Sequence, residues 1–493
     1  MTEGGGPRRP PHLASSAQDP APGPGPHGSR ARRGLLRRGR SSTSPTPTPV
    51  DPVEGGLGVE QPQPVTRRRG WALDTTPLRN RAFRRIFGGV AVTMLGQQMT
   101  LVAVPYQVFQ LTGSSLMVGL TSLVSLVPLV VFGLLGGAIA DAMDRRRLML
   151  ISSVGAAVTS ALLAVQALLP GEGHLSVLWV LAAAVSAFAA VNQPARSAVI
   201  PAIVGTDAVA AANALASTVR QAGVIVGPLL AGLLIGLGDL SVLYTVDAIG
   251  FVAAVLLLRG LPSLPPEGVS GPVRLRSAVR GVGEGFTFLR TQPLLLMTFV
   301  VDVIAMLFAW PQAVFPELSQ TTYAGTANSL GWLFAGVSIG SLVMGLTSGW
   351  VTRVDRQGAV VLGAIAVWGV AIIGFGLASS LWLAVFCLAV AGAGDMVSSV
   401  LRSAMLQTAA PDEMRGRMQG VFIVVVAGGP RLGDVRAGLL ASSVGVSAAM
   451  VSGGVVIVVA MVVVAVAVPS FWLYRASQAD EVAREARRRL AAE

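Results

Sequence analysis

The chain is 493 residues long, 52% hydrophobic and only 13% charged, with a mean hydropathy of +0.65. A soluble domain carries about a quarter of its residues as charges, so this composition excludes a water-soluble globule and requires a surface that faces lipid. All 37 basic residues are arginine, against 25 acids, for a formal net charge of +12.

Residues 1–75 come first. Eleven arginines and five acids fall within 1–70 among Pro, Gly and Ser, with no apolar periodicity. Such a segment cannot bury enough apolar surface to offset its ordering entropy, so it reads as a disordered cytoplasmic tail whose basic charge suits anionic lipid. It has no apolar core of the signal-peptide kind and does not read as a cleaved leader. The lipid reading is preferred to a nucleic-acid arm, and no nucleic acid is expected as a partner. Cys387 stands alone, which excludes an intramolecular disulfide. His12, His27 and His174 lie in the tail and in one short loop, so no histidine-built metal or catalytic centre belongs to the apolar body, and no cofactor is expected.

A helix needs about 20 mostly apolar residues to cross a bilayer. Runs of that kind lie at 86–109, 116–140, 148–169, 175–200, 209–237 and 241–260. Six more lie at 294–316, 328–351, 359–378, 381–408, 415–441 and 446–474. If both termini share one side, the turns on the other side are QLTGSS, PGEGH, GLGDLS, 317–328, 378–381 and 442–446, and none contains an arginine. The opposite turns hold Arg145, Arg146, Arg147, Arg274, Arg276, Arg280, Arg290, Arg353, Arg356, Arg415 and Arg417. Arginine is retained on the cytoplasmic side. The sequence therefore predicts twelve spans in the plasma (inner) membrane with cytoplasmic N- and C-termini.

The spans divide as a six-helix bundle over 76–260, a cytoplasmic linker over 261–293, a second six-helix bundle over 294–474 and a basic tail over 475–493. Within the linker Leu275, Val279, Val282, Phe286 and Leu289 recur at helical spacing, which predicts an amphipathic helix lying on the inner leaflet. The two halves echo each other. Asp144-Arg145-Arg146 recurs as Asp355-Arg356-Gln357, and Arg196-Ser197-Ala198 as Arg402-Ser403-Ala404. Parallel six-helix halves are a transporter architecture, with the substrate path between them.

Gly137-x3-Asp141-x2-Asp144-Arg145-Arg146 resembles the signature loop of the major facilitator superfamily, departing from it at Ala142 and Asp144. Gly223-x3-Gly227-Pro228 in the fifth span resembles the motif of its proton-antiporting export branch. The stretches GEGFTFLRTQPLL, VFPELSQ, SSVLRSAMLQTAAPDEMRGRMQG and RLGDVRAGLL narrow the resemblance to the enterobactin-exporter-like group, relatives of which also export drugs; it covers roughly 76–474. The resemblance implies an all-α major facilitator fold. It also implies a gate, to which Arg145 and Arg146 belong, in which Gly137 lets span 2 pack on span 11 while Asp141 sits beside the start of span 11; the alternative for Asp141 is simple turn capping. Gly223, Gly227 and Pro228 belong to the same moving parts.

A charge at a helix centre costs about 2.5–3.5 kcal/mol on insertion scales, so each should face a cavity or a partner. Gln97, Gln98, Gln107, Arg220, Trp310 and Gln312 are the expected cargo-path residues. Asp302, near mid-membrane in span 7, is the expected proton carrier, with Asp247 and Asp395 next in order. Arg196 and Arg402 lie toward cytoplasmic helix ends, where a long side chain snorkels, and Asp434 with Arg431, three residues apart, reads as a local pair. No GxxxxGK[ST] occurs, which disfavours direct ATP drive. The reading is a monomeric secondary transporter, not an enzyme, that exports a small organic molecule such as a siderophore or drug in exchange for protons. The alternatives are an importer of a similar solute, or a non-transporting membrane sensor or scaffold.

Overall fold

Backbone inside lipid has to satisfy its own hydrogen bonds, and every apolar run becomes a helix. The computed structural model describes residues 74–169, 174–265, 275–326, 328–409 and 412–478. The chain divides into Met1–Arg69, outside the described residues, and Gly70–Glu493, to which everything below refers. The reading of the N-terminal tail as disordered therefore lies outside the described residues.

The first half is α1 (Arg81–Thr112), α2 (Ser115–Ala142), α3 (Arg145–Leu168), α4 (Leu175–Val204), α5 (Val209–Gly236) and α6 (Leu240–Arg259). A linker helix, α7 (Leu275–Thr291), precedes the second half. That half is α8 (Pro293–Ala309), the short α9 (Phe315–Gln320), α10 (Ser329–Leu346), α11 (Gln357–Gly376), α12 (Leu381–Ala409), α13 (Asp412–Val444) and α14 (Val446–Ala467). Local chemistry sets the ends. The Asn80 side chain accepts from the Ala82 N–H at 2.9 Å to start α1, and Asp239 accepts from the Ser241 N–H at 2.8 Å to start α6. Gly113, at φ +61°, ends α1 in the left-handed region and donates to Phe109 O.

Eleven helices among the described residues are long and apolar enough to cross a membrane. α13 runs for 33 residues, but Arg431, Asp434 and Arg436 dilute its middle. It takes the twelfth position by packing along α2, α8 and α14. Outward-facing side chains such as Val180 (67% exposed) and Val466 (75%) suit a lipid-facing surface.

The internal echo in the sequence is an echo in space. In the first half α1 packs on α5 and α6, α2 on α4, and α3 on α4 and α6. In the second, α8 packs on α13 and α14, α10 on α12, and α11 on α12 and α14. These are the same five pairings. The halves meet along two matching seams, α2 with α13 and α5 with α10.

Two expectations change. The seventh span is not one helix: Pro311 has no N–H and pushes Trp310 to an extended ψ of 120°, so α8 stops and the chain resumes through the turn Gln312–Val314 into α9. α7 does not simply lie flat on a leaflet, because its Phe288 and Leu289 are buried with Met414, Met418 and Val421 of α13.

The largest buried apolar cluster includes residues of both halves, among them Val108, Tyr244, Phe315 and Trp368. Toward the arginine-rich end the core separates. Ile86, Leu148 and Leu258 cluster within the first half, and Phe83 with Leu215 beside them, whereas the Phe288 cluster belongs to α7 and the second half. The halves are thus fused at the arginine-poor end and parted at the other.

Candidate functional site

The signature turn is tied down by its own half. Asp144 caps α3 by accepting from the Arg147 N–H at 3.1 Å, and it also accepts from the Leu264 N–H at 3.2 Å and the Ser263 hydroxyl. Partial burial raises the Asp144 carboxyl, but these donors outweigh it and hold the group below its ordinary range. Arg145 donates to Ala198 O at 3.4 Å and Arg146 to Arg259 O at 2.7 Å. The second half repeats the device: Asp355 accepts from the Ala476 N–H through its carbonyl at 2.7 Å and from the Ser477 N–H through its carboxylate at 3.3 Å. In each half the motif holds the segment that leaves the sixth span. The expected latch from Gly137 and Asp141 to the start of α13 falls on side chains outside the described residues, although α2 and α13 do pack together.

The seam at the arginine-poor end centres on Asp434. It is buried on α13, where it accepts from the Ser122 hydroxyl of α2 at 2.7 Å and the Ala313 N–H at 3.0 Å. The break after α8 exposes that N–H, and Asp434 satisfies it. Asp434 and Arg431 lie within electrostatic reach of each other but make no direct ion-pair contact; Arg431 donates to Ala427 O at 3.1 Å instead. Ser115 donates to Glu317 at 2.5 Å across the same seam, and Asn328 donates to Leu229 O at 3.0 Å across the other.

Toward the arginine-rich end each half presents a cavity wall on equivalent helices. The first, about 490 Å³, lies among α1, α4 and α5 and is lined by Gln97, Asn192, Arg196, Asn213, Ser217 and Arg220. Arg220, eleven residues into α5, lies about 16 Å deep at 1.5 Å per residue, near mid-membrane. It is exposed, and its only hydrogen bond among the described residues is to Ser217 at 3.3 Å.

The second cavity, about 170 Å³, lies among α8, α12 and α13 and contains Asp302, Trp310, Asp395 and Arg402. Arg402 Nη1 contacts Asp302 Oδ2 at 2.7 Å, both side chains under 10% exposed, and Arg402 Nε donates to Ser398 at 3.0 Å. Arg402 therefore does not snorkel. Asp395 lies within electrostatic reach of both partners, and no hydrogen bond to its carboxyl is seen among the described residues. Trp310 stacks on Trp368, centroids 5.9 Å apart.

The remaining predicted residues scatter. Asp247 is buried in α6, accepting from Thr100 and Ser160 at 2.8 Å each, with Oδ1 unpartnered against Gly96. Gln107 is committed inside the first half, donating to Gln166 at 2.9 Å and accepting from Tyr244 at 2.8 Å. Gln98 backs onto Gly227, and Met94 onto Gly223; a Cβ at either glycine would collide, so these glycines let α5 approach α1. Pro228 is buried further along α5, and Gln312 begins the turn after α8.

Depth counting carried a usable signal for the ion pair. Asp302 is nine residues into α8 and Arg402 seven residues from the end of antiparallel α12, a depth difference of about 3 Å from one face. Asn192, Asn213 and Ser217 had no such signal, since small polar residues are common in helices.

Comparison with known proteins adds to this geometry. The family model described as transmembrane secretion effector, a major facilitator family, matches residues 72–487. The chain is 29% identical over 394 residues to the enterobactin exporter EntS of Citrobacter koseri, covering 79% of this chain and 93% of that one. It is 29% identical over 388 residues to that of Escherichia coli, covering 78% and 92%. A solved POT family transporter superposes with a TM-score of 0.63 at 13% identity, over 80% of this chain and 97% of that one.

Proposed function

The chain belongs to the transmembrane secretion effector family of the major facilitator superfamily, and from that premise we propose that it exports a small organic molecule, of the siderophore or drug kind, in exchange for protons. It is a multi-pass membrane transporter and not an enzyme. The relatives that share four-fifths of its length are named as exporters of enterobactin, which supports outward transport of such cargo.

The observation that carries proton coupling is the trio Asp302, Asp395 and Arg402 in one cavity. Two carboxylates facing one guanidinium leave one negative charge without compensation inside the membrane, and a single proton removes it. Arg402 is already bound to Asp302 at 2.7 Å, so the proton goes to the cluster through Asp395, which has no such partner. A proton crossing 100 mV supplies about 2.3 kcal/mol, or about fiftyfold of cargo gradient. In the cycle the two halves rock about the fixed site. Protonation of the trio from outside and release to the cytoplasm drives cargo the other way.

The test uses a deletion strain that retains its siderophore inside the cell, restored by the wild-type chain, followed by uptake of that siderophore into everted vesicles. Asp395→Asn is expected to abolish uptake driven by a pH gradient while leaving exchange of cargo down its own gradient. Asp302→Asn, which strands Arg402, lowers the yield of folded protein as well. Full pH-driven uptake by Asp395→Asn would remove Asp395 as the carrier, and uptake by the deletion strain's own vesicles at wild-type rate would remove the export assignment.

A further inference from the structure

The cavity wall of the first half holds two arginines and no acid. Arg196 of α4 and Arg220 of α5 both line it, and each feels the charge of the other. Among the described residues neither forms an ion pair, whereas Arg402 at the equivalent place in the second half has Asp302. Their polar neighbours on the wall are Gln97, Asn192, Asn213 and Ser217, which donate without bringing negative charge. Half-buried apolar side chains on the same wall are Phe87, Val90 and Met94.

Two like charges held within the bundle without counterions are unfavourable unless something supplies the missing negative charge. A structural pair would have done so from within the protein, as Asp302 does for Arg402. The wall lacks one, and about 490 Å³ of space lies in front of it. That volume falls in the range of sites for drug-sized molecules.

We infer that this wall is a binding site for an organic anion, a molecule with a carboxylate or phenolate head set between Arg196 and Arg220 and an apolar body against Phe87, Val90 and Met94. The inference rests on the export reading for the cargo's route but not for its binding. Guanidinium forks match planar oxygen pairs bidentately, and the amides complete the shell around further oxygens. Specificity follows from the same arrangement: an organic cation meets two arginines and no acid on this wall, so it is rejected by repulsion. Anionic cargo also suits the drive, because an inside-negative potential favours both its exit and the entry of a proton.

The test compares two dyes on one xanthene scaffold, anionic carboxyfluorescein and cationic rhodamine 6G, by fluorescence anisotropy with the purified full-length protein in detergent. Carboxyfluorescein is expected to bind, to weaken with added salt, and to lose about tenfold in affinity in Arg220→Gln and in Arg196→Gln. Melting temperatures near wild type check folding, and for Arg220 the exposed side chain makes that outcome the expected one. A Val466→Ala control, on the outward face of α14 away from the wall, should bind as wild type does. Equal binding of the two dyes, binding of neither, or unchanged affinity in both arginine variants would overturn the site. Displacement of the dye by citrate assigns the anion to a soluble carboxylate, and displacement by dihexanoyl phosphatidylglycerol to a lipid headgroup. Because binding is read at equilibrium, dye binding without transport in everted vesicles would sink the export reading and leave the anion site standing.

Discussion

Asp434 joins three elements through two oxygens: its own helix, the Ser122 hydroxyl of α2 and the Ala313 N–H left open by the break at Pro311. Only the Ser122 bond crosses between the halves; a buried donor left without its acceptor costs about 1–3 kcal/mol, and for Ser122 that cost falls on the state in which the arginine-poor seam is closed. Asp434→Ala is therefore expected to move the conformational balance toward the open seam by about tenfold or more. A single cysteine replacing Ser115, which is 1% exposed beside Glu317, reports it in a Cys387→Ser background. Its labelling from the arginine-poor side should accelerate in Asp434→Ala, and an unchanged rate would show that Asp434 does not hold the seam. Spacing alone paired this aspartate with Arg431, since residues three apart can meet on a helix. What spacing does not contain is a better acceptor geometry on another helix. Arg402 was misjudged for the same reason: its place near a helix end was legible, but its carboxylate partner 100 positions away was not.

At the scale of elements, the helices were largely written in the chain, because lipid admits few other solutions for a long apolar run; their pairing within each half was not. Ten of the spans needed only length and apolarity. α13 was legible as a span despite its charges, and the seventh span hid its break at Pro311 because apolar residues continue on both sides. The seams are a finer matter. With no hydrophobic drive between helices in lipid, their approach depends on small residues, and Gly119 and Gly438 place α2 and α13 in backbone contact. A side chain at Gly438 would collide with the Ser115 backbone, whereas Gly236 at the end of α5 has nothing within 4 Å. Overpacking costs about 1–3 kcal/mol, here paid only when the seam closes. Gly438→Val is expected to express near wild-type level, because the five pairings inside each half are untouched, yet to lose most transport in everted vesicles. Gly236→Val should transport as wild type does. Loss of folded protein in Gly438→Val alone would instead assign the glycine to assembly rather than to the moving seam.

Within Gly70–Glu493 the described residues form two similar halves fused at one end, with a charged cavity wall on each half toward the other end. Such a body alternates access by rocking, and the direction it faces decides which solution the two arginines and the Asp395 trio meet. By the rule that retains arginine on the cytoplasmic side, the distribution of arginines predicts that the fused end lies outside the cell and that the cavity mouth faces the cytoplasm. A reporter active only in the periplasm should then be silent when fused after Glu493 and active when inserted after Thr322, which lies in the turn between α9 and α10. The cavity gives an independent measure of the same orientation. Ser217 is exposed on the wall beside Arg220, so a cysteine there, with Cys387 replaced by serine, should react with a membrane-impermeant maleimide in everted vesicles and stay protected in intact spheroplasts. Reaction in spheroplasts alone, together with an active reporter after Glu493, would invert the molecule. The export direction and the proton path argued from it would then both have to be reversed.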